Sequence, residues 1–171
     1  MAARSLLIVM TLAVLAMANM SCQDSERNQA EQAAVEQAVR GYLFALADAY
    51  STLDTSVLDD YASPNERAAV RKLLQDLLQK TGDRIDAELV GFDVQALEIF
   101  RGINATVRLI EVWNITRYGA GDGLEKGRTE NSIQNTIVQM RLIDGRWVCV
   151  GRSILSRETP LPDPAAAEEA G

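Results

Sequence analysis

The spacing of apolar residues changes character at Gly82, and this change constrains the fold more than any other feature of the chain. Before Gly82 apolar side chains recur at three and four, the period of an amphipathic helix. After it, as far as about Ser156, they alternate with polar ones, the period of a half-buried strand. Helices followed by an antiparallel meander must bury a helix face against one side of the sheet, which makes an α+β domain.

The helical half divides into three. Val35, Ala38, Val39, Tyr42, Leu43, Leu46, Ala49, Tyr50 and Leu53 share one face of a helix from about Glu31 to Leu53. Asp54, Thr55 and Ser56 can cap a short second helix holding Val57, Leu58 and Tyr61. Ser63 as N-cap, Pro64 at the first helical position and Glu66 three residues after the cap form a capping box that opens a third helix. That helix carries Val70, Leu73, Leu74, Leu77 and Leu78 on one side and ends at Gly82.

The strand half divides into four. Ile85, Ala87 and Leu89 alternate, Gly91 shifts the phase, and Phe92, Val94 and Ala96 continue, as expected of one long strand with a bulge. Arg101-Gly102 turns the chain into a strand from Ile103 to Arg117. A glycine-rich loop, Tyr118 to Gly127, leads to a third strand from Thr129 to Ile143. Asp144-Gly145 is a type I′ signal before the fourth, Arg146 to Ser156. Residues 158–171, with three prolines and no base, read as a disordered acidic tail.

Composition removes several classes of function. There is no histidine, so Ser-His-Asp and Cys-His nucleophile pairs and histidine metal ligands are excluded. A net charge of −7, with Lys and Arg scattered among more numerous acids, provides no basic face for nucleic acid. Asp59, Asp60 and the other helix acids lack the spacing of a metal site, and no cofactor motif is present. Gly119 to Gly123 lacks the lysine and the strand-to-helix context of a phosphate cradle.

The N-terminus has the anatomy of a secretory signal over residues 1–21: Arg4, then the 13 residues Leu6 to Ala18, apolar apart from Thr11, then small residues. The run is shorter than the roughly 20 apolar residues a membrane-crossing helix needs. Met20-Ser21-Cys22 resembles the end of a bacterial lipobox, with Asn19 where such boxes carry an aliphatic residue. The resemblance implies lipidation at Cys22, and residues 22–30 then serve as a polar tether to a membrane. The alternative is soluble secretion with cleavage after Ala18. The expected location is the bacterial cell envelope, lipid-anchored or periplasmic.

The order of elements, together with Ala105-Thr106-Val107-Arg108 leading into Glu111-Val112-Trp113 and the ending Asp144-Gly145-Arg146-Trp147-Val148, resembles the nuclear transport factor two-like superfamily. That superfamily includes ketosteroid isomerase and scytalone dehydratase. The resemblance implies a cone-shaped α+β domain over 31–157, with three N-terminal helices on a curved antiparallel sheet of about four strands. Such cones catalyse, bind a small apolar ligand, or use the sheet to pair with a partner or a second copy as a homodimer.

Glu111 shares the alternation phase of Ala105, Val107, Leu109, Trp113 and Ile115. Inside an apolar cone it would suit proton transfer, with Tyr42, Tyr50, Tyr61 or Tyr118 as the oxyanion donor of an isomerase or dehydratase. The plainer expectation is an ion pair with Arg152 or Arg141 across the sheet. Trp113, Tyr42 and Cys149 are candidates to line a ligand pocket, although an aromatic in an alternating strand is more often plain core and Cys149, with no histidine to activate it, reads as a small buried hydrophobe. The expected function is a non-catalytic binding domain for a small apolar molecule or another envelope protein. An enzyme using Glu111 and a structural dimerisation module are the alternatives.

Overall fold

The computed structural model describes residues 2–158, with side chains from residue 27 onward. The elements are helix α1 (Ala2–Thr52), a 3₁₀ turn (Thr55–Leu58), helix α2 (Pro64–Thr81), and strands β1 (Asp83–Phe100), β2 (Asn104–Gly119), β3 (Glu125–Ile143) and β4 (Arg146–Glu158). The chain divides into two units, one ending at Ala34 and the other beginning at Val35. The second is the α+β domain. Among the described residues no helix is long and apolar enough to cross a membrane. The side chain of Cys22 and the tail past Glu158 lie outside the described residues.

Two α-helices precede the sheet, not three. The expected second helix is a four-residue 3₁₀ turn. Asp54 caps it as foreseen, accepting from the Ser56 amide at 2.8 Å. It does not extend because its exit is claimed by the sheet. The Cys149 amide donates to the Tyr61 carbonyl and the Ser63 amide to the Cys149 carbonyl, both at 2.8 Å, so Ala62 forms a parallel bridge to β4. Extended backbone at Ala62, followed by an extended Ser63 that Pro64 enforces, leaves no room for a second turn. Leu53, expected as the last core residue of the first helix, adopts a left-handed φ of 61° just past the end of α1.

At α2 half of the capping box forms. The Ser63 hydroxyl accepts from the Glu66 amide at 3.3 Å. The return bond from the Ser63 amide to the Glu66 carboxylate is absent, since that amide is spent on Cys149. The Glu66 side chain turns inward and accepts from the Tyr42 hydroxyl at 2.7 Å. Gly82 closes the helix at φ 66°, a conformation that costs other residues about 1 kcal/mol.

The sheet is an antiparallel meander in the order β1-β2-β3-β4. Both tight turns take the twist-matched form: Arg101-Gly102 and Asp144-Gly145 have positive φ at both central positions. The glycine-rich loop is shorter than expected, because β2 pairs with β1 as far as Gly119 and β3 begins at Glu125. β1 is bulged twice. The register slips between Leu89 and Gly91, near where the sequence marks it, and again between Val94 and Ala96. The second slip pairs Ala96 with Arg108, outside the inward set, and brings Leu97 and Ile99 against the core instead.

One apolar cluster joins Val35, Val39, Leu43 and Leu46 of α1, Val70 and Leu74 of α2, and Val107, Leu109, Val138 and Met140 of the sheet. Each such side chain contributes on the order of 1.5–3 kcal/mol by leaving water.

Candidate functional site

Two bulges in β4 decide what faces the helices. Cys149 points inward, opposite Met140, and strict alternation from it would send Arg152 outward. The slip between Gln139 and Met140 leaves Val150 unpaired and inverts the phase, so Arg152 and Ile154 turn inward. A second slip, between Asn135 and Thr136, leaves Leu155 unpaired and inverts it again, so Arg157 pairs with the inward-facing Gln134. Re-aiming side chains is what bulges do beside functional surfaces.

Arg152 then reaches Glu111. Its Nε donates to Glu111 Oε1 at 3.3 Å and its Nη2 to Oε2. Trp113 Nε1 donates to Oε2 at 2.8 Å, and the Thr136 hydroxyl donates to Oε1. An ionised carboxylate offers about four lone-pair sites, and four donors occupy them. Glu111 is 0% exposed and the Arg152 side chain 8%. Burial lowers the proton affinity of Arg152, but the hydrogen bond and charge of Glu111 outweigh this and raise it, so the guanidinium stays charged. Of the readings for Glu111, the structure holds the ion pair with Arg152. Arg141 instead donates to Asn104 at 3.2 Å.

Arg152 also forms part of a cleft. A hollow of about 250 Å³ is lined by Tyr50, Leu73, Leu74 and Leu77 from the helices, Ile85 and Ala87 from β1, Trp113, Ile115 and Arg117 from β2, Gln134 from β3, and Arg152, Ile154 and Arg157 from β4. A second hollow of about 290 Å³, lined by Tyr42, Glu66, Ala69 and Val70, shares Tyr50, Leu73, Arg152, Ile154 and Arg157 with it. The two therefore form adjoining lobes of one cleft beside α2. A larger hollow of about 520 Å³ lies elsewhere, between the end of α1 and α2. It is lined by two acids, Asp54 and Asp59, as well as by Arg67, which pairs with Asp59, and Arg71, which donates to the Thr55 hydroxyl at 3.1 Å, so its charges are mixed.

The sequence candidates are distributed accordingly. Trp113 and Tyr42 line the two lobes. Glu111 lies behind Arg152 and Trp113, outside both linings. Cys149 is fully buried in the core and lines neither lobe, and burial, chiefly, with the nearby Glu66 carboxylate pushes its thiol up to about 12. Burial also raises the Tyr42 and Tyr50 hydroxyls, so both remain protonated donors. Tyr61 packs against Gly41, and Tyr118 lies under the Arg84 guanidinium at 4.6 Å. Among the described residues no cluster of three metal-ligating side chains occurs. Sequence reasoning missed Arg117 and Arg157 as lining residues. Arg117 was readable, being two residues past Ile115 in unbroken phase; Arg157 was not, because two bulges intervene.

No family model and no curated protein matches the chain in sequence. Solved structures match it in fold. The intermembrane space region of the chloroplast protein ARC6 aligns at 13% identity over 71% of this chain and 93% of that one, with a TM-score of 0.58. A structure from Catenulispora acidiphila aligns at 12% over 82% and 98%, with a TM-score of 0.50. A protein of unknown function with a cystatin-like fold from Nostoc punctiforme aligns at 16% over 74% and 93%, with a TM-score of 0.44. At these identities the likeness is one of fold alone.

Proposed function

We propose that the domain is a non-catalytic binding module on a nuclear transport factor two-like fold, holding a small, largely apolar molecule in the cleft beside α2. The observation that carries this reading is the contrast between Glu111 and the cleft. The Glu111 carboxylate has its acceptor sites filled by fixed donors and lines neither lobe, so it is not placed to serve an isomerase or dehydratase as its base. The cleft has apolar walls and a few polar groups converging on it, the usual make-up of a small-molecule site. The chain is an exported envelope protein in this reading, tethered to a membrane by lipid on Cys22. The apolar run Leu6 to Ala18 and the lipobox-like Met20-Ser21-Cys22 support that part.

The test is a native mass spectrum of the chain purified gently from a bacterial host. A reproducible extra mass, lost on denaturation and absent from Ile115→Phe, which fills the cleft, is the expected result. A bare protein that also binds no added apolar compound would overturn the reading and direct attention to a protein partner in the envelope.

A further inference from the structure

Resting on the binding-module reading, we infer that the cleft selects an amphiphilic anion, an aliphatic carboxylate whose chain lies along the apolar wall and whose headgroup is met by Arg152 and Arg157.

The charge distribution carries the sign. In a chain of net charge −7, the lobe that contains Trp113 is lined by three arginines, the largely buried Arg152 and the exposed Arg117 and Arg157, and by no acid. Glu111, behind the wall, neutralises Arg152. Arg117 and Arg157 make no ion pair among the described residues. In the other lobe the only acid is Glu66, which accepts from Tyr42. A cation entering here would meet like charge, and a neutral molecule would gain no charge-assisted bond from these donors.

The donors are positioned as well as charged. Arg152 uses Nε and Nη2 on Glu111 and Gln134, the latter at 3.2 Å, and its Nη1 has no partner among the described residues. Nη1 is not among the fully enclosed unpaired atoms, so this end of a nine-tenths buried guanidinium opens to the cleft it lines. Its orientation is locked by Glu111, which makes it a preorganised donor. The Tyr50 hydroxyl likewise has no partner among the described residues, and Tyr50 lines both lobes. Opposite these polar groups, Leu73, Leu77, Ile85, Ile115 and Ile154 form the wall for an aliphatic chain.

The test is calorimetric titration of the full chain with octanoate, octanol and octyltrimethylammonium, three probes with one tail and different heads. Octanoate is expected to bind about tenfold or more tighter than octanol, the worth of one charge-assisted hydrogen bond, and octyltrimethylammonium weakest. Lengthening the acid from hexanoate to octanoate should tighten binding about fourfold per methylene. Arg157→Gln should weaken octanoate several-fold and leave octanol unchanged, and added salt should weaken only the acid. Equal binding of octanoate and octanol, indifferent to Arg157→Gln, would overturn the anion inference while leaving the cleft as a binding site. No binding by any probe would overturn both.

Discussion

The guanidinium of Arg152 engages both carboxylate oxygens of Glu111 across the sheet, 41 residues apart in sequence, with both side chains withdrawn from water. Trp113 and Thr136 complete the carboxylate's shell, so one buried charge pair ties β2, β3 and β4 together.

Removing one partner should cost far more than removing both charges. Arg152→Met strands a buried carboxylate and is expected to cost about 3–5 kcal/mol. Adding Glu111→Gln keeps an acceptor for Trp113 without the charge and should recover about 2 kcal/mol or more. Urea denaturation of the wild type, the single variant and the double variant measures this. A loss below about 1 kcal/mol for Arg152→Met would contradict the buried-pair account.

Stability should fall in alkali before exposed groups alone would require it. The Cys149 thiol titrates at about 12 in the folded state against an ordinary 9.0, so the folded chain holds this proton more tightly than the unfolded one. That contribution is fully present below pH 9.0 and is lost as pH rises toward about 12. The buried Tyr42 hydroxyl, also raised, acts in the same direction. Urea midpoints between pH 8 and 11 should decline, and less steeply in Cys149→Ala. At pH 8 the thiol should resist iodoacetamide until the protein is unfolded.

The half-formed capping box has a measurable signature. Ser63→Ala removes the acceptor for the Glu66 amide and should cost about 1 kcal/mol. Tyr42→Phe leaves the buried Glu66 carboxylate without its tyrosine donor and should cost about 1–3 kcal/mol. In a box of the usual kind Tyr42 would have no influence on Glu66, so a neutral Tyr42→Phe in thermal denaturation would restore that arrangement.

Lipidation is checked directly. Cells expressing the full chain should incorporate labelled palmitate into it, and Cys22→Ala should abolish the label and release the protein from the membrane fraction. An unlabelled wild type would leave secretion with cleavage after Ala18.

Local chemistry was legible in the residues themselves. The change of period at Gly82, the Ser63-Pro64 start of α2, the two glycine turns and the inward phase of Glu111 each depend on side chains only a few positions apart, and such short-range preferences are written into the chain. Glu111 drew attention for the same reason, as a charge in an apolar phase.

Tertiary structure decided what depends on partners far away in sequence. The second helix shrank to one 3₁₀ turn because Ala62 is needed beside Cys149. Glu66 left its own cap because Tyr42 was within reach. Arg152 and Arg157 face one cleft because β4 slips twice against β3, and a bulge is set by how two strands must twist together rather than by either strand's own alternation. Period determines which residues can share a face, but strand register, known only once the sheet has formed, decides which face that is.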